Sequence, residues 1–158
     1  MVENDFRKVL LIGIGNEYRS DDRIGLEVAR QIRKKQFPCV IVKEESGEGT
    51  ALMEAWRGCE SVIIRDAVSS GVKPGTIFEI DARGKNVPAK FFHYSTHAFS
   101  VAEAIELART MKTFPSRVLV YGIEGADFSA GTNISHAVQE SAEQVVEQIL
   151  KMVKAISQ

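Results

Sequence analysis

The sequence is poor in cysteine, and its two cysteines stand far apart. Cys39 and Cys59 do not form a CxxC motif, and no other cysteine occurs. This pattern excludes a disulfide framework and a zinc knuckle, and it favours a reducing, cytoplasmic environment. We expect both thiols to be buried as small apolar side chains.

The chain also lacks an excess of charge and a long apolar run. Its 20 basic and 21 acidic residues give a formal net charge of −1, whereas binding to nucleic acid or to an anionic membrane usually needs a basic excess. The longest apolar run, Val9–Ile14, is far too short for a membrane span or a signal-peptide core. We therefore expect neither partner. The 44% apolar content over 158 residues is enough for one domain covering residues 1–158.

Short apolar runs alternate with segments of helical periodicity along the chain. The predicted strands are Lys8–Ile14, Cys39–Lys43, Ser61–Asp66, Thr76–Asp81 and Arg117–Ile123, and the predicted helices are about Arg23–Lys35, Thr50–Trp56, Phe99–Met111 and Ser135–Lys154. This order predicts an α/β fold, a three-layer α/β/α sandwich around a five-stranded, mostly parallel, twisted sheet. The connection Ala67–Gly75 is too short for a helical crossover, so the fourth strand should be antiparallel. Right-handed crossovers place the first three strands in the order 2-1-3.

Acidic residues follow several of the predicted strands. In an open α/β sheet the ligand crevice lies beyond the carboxyl ends of the strands, at the switch point beside strand 1. One interpretation is a solvated rim of helix caps, and it suits Asp21 and the glutamates best. The other is a cation site, which suits Asp66 because a carboxylate ending an apolar run needs a partner or a cation. The acids concerned are Asp21, Asp22, Glu44, Glu45, Glu48, Asp66, Glu124 and Asp127.

The sequence matches neither a nucleotide-binding site nor a serine-nucleophile site at this edge of the sheet. Gly13 and Gly15 resemble the start of a GxGxxG dinucleotide motif, but Tyr18 stands where the third glycine should be. The Asp21-Asp22 pair would also repel a pyrophosphate. Neither a Walker A loop nor a GxSxG nucleophile elbow occurs. The acidic edge should attract a cation instead.

A histidine can complete such a cation site. Of His93, His97 and His136, the last begins the final helix and is expected at the surface. His97 precedes the third helix, whose N-terminal dipole keeps an imidazole neutral, as a metal ligand must be. Together with Asp22 and Asp66 it would form an incomplete ligand shell suited to nickel or zinc. A purely structural His97 is the alternative.

These motifs resemble a known family, the hydrogenase maturation endopeptidases, which process the large subunit of NiFe hydrogenases. The matching segments are spread over the whole chain in the family's order. They are Gly13-x-Gly15-Asn16 followed by Asp21-Asp22, then Gly47-x-Gly49-Thr50, Ile63-Ile64-x-Asp66-Ala67, Pro74-Gly75-Thr76 and Thr96-His97. Arg23 departs from the glycine of many members, and Ser46–Thr50 departs from their Asp-Gly-Gly-Thr.

The resemblance implies a site and a reaction. Asp22, Asp66 and His97 match the family's metal ligands and are the expected catalytic and metal-binding residues, whereas Asn16 and Asp21 would shape the loop. The expected activity removes the C-terminal extension of a large-subunit precursor after nickel insertion. The nickel would belong to the substrate, so no tightly bound resting metal is expected. A non-catalytic metal- or ligand-binding α/β module is the alternative function.

Overall fold

The computed structural model of the chain describes residues 8–84, 87–88 and 99–156. Strands and helices alternate through these ranges, and a 3₁₀ helix, Ser20–Arg23, precedes the first α-helix. The elements in chain order are β1 Val9–Ile14, α1 Ile24–Lys34, β2 Val40–Glu45, α2 Gly49–Ala55, β3 Ser61–Val68, β4 Ile77–Asp81, α3 Val101–Thr110, β5 Arg117–Glu124 and α4 His136–Ile156.

The strands form one five-stranded sheet in the order β2-β1-β3-β5-β4. The pairs β1–β2, β1–β3 and β3–β5 are parallel, and β4 runs antiparallel to β5. The predicted order 2-1-3 and the predicted antiparallel fourth strand are confirmed. β3 lies in the middle of the sheet, which explains why almost every residue of this strand is buried.

Helices cover both faces of the sheet and make it a three-layer sandwich, as predicted. Alternate side chains of each strand point to opposite faces, so each face builds its own apolar core. On one face the sheet packs against α2 and α3, through residues that include Leu10, Ile12, Val62, Ile64, Leu52, Trp56, Val101 and Ile105. On the other face it packs against α1 and α4, through residues that include Val9, Leu11, Ile63, Tyr121, Val28, Ile32, Val145 and Ile149.

The packing of α1 sets the position of the loop that follows β1. Because α1 and α2 lie on opposite faces, the winding of the chain reverses beside β1, and this reversal creates the expected crevice. Gly25 lets α1 begin very close to the sheet. A Cβ at this position would collide with the carbonyl oxygens of Ile14 and Arg65. The 3₁₀ helix just before α1 is therefore held near the end of β3.

Several predicted boundaries differ from the structure. β3 continues two residues beyond the predicted end, so Asp66 lies inside the strand. Asp22 belongs to the 3₁₀ helix rather than to an irregular loop. The helix predicted from Phe99 begins at Val101. Of the two free cysteines, Cys39 is buried as expected, but Cys59 is only half-buried.

Candidate active site

Asp66 is a buried carboxylate near the carboxyl end of β3. By strand alternation it shares the face of α2 and α3 with Val62 and Ile64. It is 6% exposed, and its carboxylate accepts a hydrogen bond from the adjacent N–H of Ala67 at 2.8 Å. Burial raises the pKa of Asp66 well above its ordinary value, and the charge of Asp22 raises it further.

Asp22 is the second carboxylate of the site. It is half-buried in the 3₁₀ helix and accepts a hydrogen bond from the backbone N–H of Asn16 at 3.1 Å. Burial raises the pKa of Asp22, while the hydrogen bond from Asn16 and the positive charge of Arg19 act against this rise. Asp22 and Asp66 are thus close enough to repel each other, and burial of both carboxylates outweighs the groups that stabilise their charges. A bound cation would relieve that repulsion.

Asp21 holds the Asp22 segment in place. Its carboxylate is fully buried and accepts hydrogen bonds from the backbone N–H groups of Ala126 and Asp127 at 2.8 and 2.9 Å. Two more come from the backbone and the hydroxyl of Ser135, at 2.7 and 2.8 Å. All these donors lie between β5 and α4. Asp21 therefore shapes the loop, as the sequence indicates, and its oxygens are already occupied.

The other carboxylates of this edge also have partners. Glu48 caps α2 by accepting two backbone N–H groups at the start of that helix. Glu124 is 2% exposed and accepts from the hydroxyl and N–H of Ser70 and from the next N–H. Asp127 accepts from the N–H and the hydroxyl of a serine two positions further on. The interpretation as helix caps and structural contacts fits these three acids.

The guanidinium of Arg23 pairs with groups other than Asp22. Its guanidinium forms a salt bridge with Glu27 at 2.6 Å and donates to a backbone carbonyl in the loop before α4. Arg30, about two turns beyond Arg23 in α1, bridges Glu17 at 2.6 Å and Glu44 at 2.8 Å. Glu44 is therefore not the solvated helix cap that the sequence suggested. We call these five residues the arginine–glutamate cluster. They tie the loop after β1 to α1 and β2.

Arg65 is a buried charged residue beside the site, and its burial was not predicted from the sequence. Its side chain is fully buried, and none of its three nitrogen atoms has a hydrogen-bond partner among the described residues. The guanidinium lies 5.6 Å from the centre of the Tyr121 ring, and burial lowers its pKa to about 9. In the sequence, the sign of this burial is a charged residue that follows directly on the apolar run of β3. Arg65 points to the face opposite Asp66, and a guanidinium has no free lone pair for a metal ion. Its charge partly offsets that of Asp66.

The third expected ligand, His97, lies outside the described residues, as does His93. The described ranges contain no group of three or more His, Cys, Asp or Glu side chains placed to hold a metal ion. His136, at the start of α4, is exposed as expected and pairs with Glu140 at 3.0 Å. The structure brings Asp22 and Asp66 together, and His97 remains a prediction.

Comparison with known proteins connects this arrangement to one family. The family model described as HycI, hydrogenase maturation protease, matches residues 23–152. The chain belongs to the hydrogenase maturation proteases. The hydrogenase expression/formation protein HoxM of Cupriavidus necator is 26% identical over 144 residues, which cover 88% of this chain and 70% of the relative. The predicted family is confirmed.

Solved structures of similar proteins share the fold. The solution structure of an endopeptidase from Escherichia coli superimposes with a TM-score of 0.80 at 23% identity, covering 94% of this chain and 93% of that one. The hydrogenase maturating endopeptidase HybD from E. coli gives a TM-score of 0.72 at 19% identity, with the same coverage. At these identities the likeness shows the α/β fold.

Membership of the hydrogenase maturation proteases decides the class of activity. The chain is an endopeptidase, a peptide-bond hydrolase that processes a hydrogenase large-subunit precursor. This conclusion favours the predicted protease over the non-catalytic module. In the part of the chain that the structure describes, no helix is both long and apolar enough to cross a membrane.

Proposed function

We propose that this hydrogenase maturation protease binds the nickel of its substrate through Asp22, Asp66 and His97. The precursor of the hydrogenase large subunit would present a nickel ion already inserted in its own active site, and the protease would then remove the C-terminal extension. The observation that supports this proposal is the pair of neighbouring carboxylates whose pKa values are both raised by burial. We place the reaction in the cytoplasm because the cysteine content favours a reducing compartment.

The donor set fits nickel as a substrate. Two carboxylate oxygens from Asp22 and Asp66 and one imidazole from His97 suit a divalent transition ion, and they leave coordination positions for groups of the precursor. Binding the ion offsets the repulsion between the two aspartates. A metal ion in this position has two ways to assist peptide hydrolysis, by polarising the scissile carbonyl or by activating a water molecule.

The hydrolysis itself is one peptide cleavage. The oxygen of a water molecule adds to the scissile carbonyl carbon, the C–N bond breaks, and a proton passes to the leaving amine. The residues of this chain hold the metal of the precursor and thereby hold the adjacent peptide bond in a reactive geometry. The products are a shortened large subunit and a free C-terminal peptide.

The decisive experiment compares two forms of one precursor. Purified protease is incubated with nickel-loaded and with nickel-free large-subunit precursor, and the product masses are read by mass spectrometry. We expect a shortened product from the nickel-loaded form alone. Asp22→Ala, Asp66→Asn and His97→Ala should abolish processing, whereas Asp22→Glu should retain more of it because it keeps the carboxylate. Asp81→Asn, at the end of β4, is the matched control.

The alternatives give different results. Equal cleavage of nickel-free and nickel-loaded precursor would overturn nickel recognition but leave the protease activity. A precursor that remains full-length with every preparation would favour the non-catalytic module. Unfolding of the Asp66→Asn or His97→Ala variant, checked by circular dichroism, would favour a structural role for that residue.

A further inference from the structure

Arg65 places a positive charge in the interior of the protein. It lies between Ile63 and Ala67 on the face of β3 that α1 and α4 cover, and it is fully buried. The helix α1 begins so close to this strand that a Cβ at Gly25 would lie 2.6 Å from the carbonyl oxygen of Arg65. The guanidinium is enclosed, and none of its three nitrogen atoms has a hydrogen-bond partner among the described residues.

The neighbours of Arg65 in the sheet offer its charge no carboxylate. Gly13 of β1 lies beside it on one side, and Tyr121 of β5 lies on the other. The centre of the Tyr121 ring is 5.6 Å from the guanidinium carbon, and the hydroxyl of Tyr121 donates to Glu79 at 3.2 Å. The ring supplies a cation–π contact. Within the described ranges, however, no carboxylate forms a salt bridge with Arg65.

Such a buried charge lowers the stability of the fold. Burial of an ionised group without a hydrogen-bonded partner costs free energy, and its replacement by an apolar side chain of similar volume often stabilises a protein. Burial lowers the pKa of Arg65 to about 9, which is still above neutral, so the guanidinium is cationic at pH 7. The fold itself therefore does not account for an arginine at this position.

The charge of Arg65 acts on the neighbouring carboxylate. Arg65 and Asp66 are consecutive residues, with Cα atoms about 3.8 Å apart, and their side chains leave β3 on opposite faces. The positive charge of Arg65 stabilises the ionised carboxylate of Asp66. The same charge repels a divalent ion bound to that carboxylate, and the repulsion is the larger effect because the ion carries two charges. Salt screens such interactions only weakly inside a protein.

We propose that the buried charge of Arg65 weakens the affinity of Asp22 and Asp66 for free divalent ions. The two aspartates then hold a nickel ion only when the precursor supplies its other ligands, and they release that ion together with the shortened product. The inference rests on the proposed function, because it takes Asp22 and Asp66 as ligands of the substrate's nickel. Arg65 acts on the ion through space and does not bind it, since a guanidinium has no free lone pair.

Metal titration of the isolated protease tests this role of Arg65. The dissociation constant for Ni²⁺ is measured by isothermal titration calorimetry at pH 8 on tag-free wild type, Arg65→Met and Arg65→Gln, so that two different variants remove the charge. Tyr121→Phe is the control for packing, because it keeps the ring beside Arg65 and leaves the charge in place. Arg57→Met is the control for net charge, because Arg57 is exposed in the turn after α2.

We expect Arg65→Met and Arg65→Gln to bind Ni²⁺ about tenfold more tightly than wild type, because each removes a like charge from a poorly screened position near the ion. Tyr121→Phe and Arg57→Met should bind Ni²⁺ as wild type does. In the presence of a chelator, Arg65→Met should unfold at the same temperature as wild type or at a higher one, since it replaces a buried charge. Combining Arg65→Met with Asp66→Asn should abolish the tighter binding, because the ion then lacks one of its ligands.

Several results would overturn the inference. Unchanged or weaker Ni²⁺ binding in Arg65→Met and Arg65→Gln contradicts it, and so does an absence of Ni²⁺ binding in all these proteins. Tighter binding that also appears in Tyr121→Phe assigns the effect to packing, and tighter binding that survives Asp66→Asn places the ion elsewhere. Failure of both Arg65 variants to fold, read by circular dichroism, shows that the arginine serves the fold.

The titration and the precursor assay can fail separately. The titration contains no precursor, so it decides the effect of Arg65 on metal affinity by itself. Equal cleavage of nickel-loaded and nickel-free precursor overturns the proposed function even where the Arg65 variants bind Ni²⁺ more tightly. Nickel-dependent cleavage with unchanged Ni²⁺ affinity in both variants leaves the proposed function in place and overturns only the role of Arg65.

Discussion

Asp21 and Ser135 are joined by two hydrogen bonds across most of the length of the chain. The backbone N–H of Ser135 donates to one carboxylate oxygen at 2.7 Å, and its hydroxyl donates to the other at 2.8 Å. This contact fixes the 3₁₀ helix against the loop that leads into α4. The position of Asp22, one residue further on, therefore depends on a segment that is remote in sequence.

Asp21→Asn should destabilise the protein by about 2–3 kcal/mol, because an amide NH₂ would replace an oxygen that accepts buried N–H donors. The fully buried carboxylate accepts its hydrogen bonds from residues of the loop between β5 and α4. Denaturant unfolding measures the loss. Asp81→Asn, an exposed carboxylate, should change stability by less than about 0.5 kcal/mol. Equal stability of the Asp21→Asn and Asp81→Asn variants would contradict the anchoring role.

The fold was largely predictable because its signals are local. The apolar runs of β1, β3 and β5 and the helical periodicity between them indicate buried parallel strands with crossovers. The short connection before β4 indicates its antiparallel direction. Strand ends were less certain, since β3 continues to Val68 through residues whose burial depends on β5 beside it.

The site was predictable only in part. The motif that contains Asp22 and the end of the run that contains Asp66 pointed to the same edge of the sheet, and the structure brings them together. The partners of Asp21 could not be predicted, because they are more than a hundred residues away. Arg65 was missed for a related reason. Whether a charged residue in a strand is buried depends on the sheet order and on the helix that covers it.

Asp66→Asn should stabilise the metal-free protein at pH 7 by about 1 kcal/mol, the usual size of a single stabilising substitution. Burial and the charge of Asp22 raise the pKa of Asp66 in the folded state above its unfolded value. The carboxyl of Asp66 therefore stabilises the folded protein at pH values below its pKa in the unfolded state. This stabilisation is lost as the pH rises through its pKa in the folded state. Asparagine removes the charge and keeps the oxygen that accepts the N–H of Ala67.

Thermal unfolding in the presence of a chelator, from pH 4 to pH 8, measures this effect. The difference in unfolding temperature between Asp66→Asn and wild type should shrink toward pH 4, where the carboxylate of wild type takes up its proton. Added Ni²⁺ should make this difference smaller at pH 7, because the ion raises the unfolding temperature only of wild type, which binds it. A variant that is less stable than wild type at every pH would show that the carboxylate serves the fold.

Arg30→Met should lower processing by up to about tenfold, a loss typical of groups that orient metal ligands. Methionine keeps the apolar stem of the side chain but removes its bridges to Glu17 and Glu44. Glu17 follows Asn16, whose N–H donates to Asp22, so the loop should become more mobile. Stability should fall by no more than about 1 kcal/mol, because the cluster is partly exposed.

The control for Arg30 is Arg57→Met, which removes an exposed 3.7 Å ion pair with Glu54 in the turn after α2. Hydrogen exchange read by mass spectrometry on peptides covering residues 15–22 should accelerate in Arg30→Met and stay unchanged in Arg57→Met. Loss of activity without faster exchange in this segment would show that Arg30 acts by another route, such as direct contact with the precursor.

Metal removal should leave the isolated protease folded and active. Asp22, Asp66 and His97 would form an incomplete shell, and the described residues hold no metal-binding group that completes it, so water competes and divalent ions bind weakly. The fold depends instead on two apolar cores, one on each face of the sheet. Purified protein should therefore carry little stoichiometric metal by elemental analysis, and a chelator should not change its unfolding temperature.

The chelator should also spare cleavage of a precursor whose nickel is already buried, while nickel-free precursor stays uncut. One tightly held zinc per chain, with activity lost on its removal, would instead identify a metalloprotease with a resident metal.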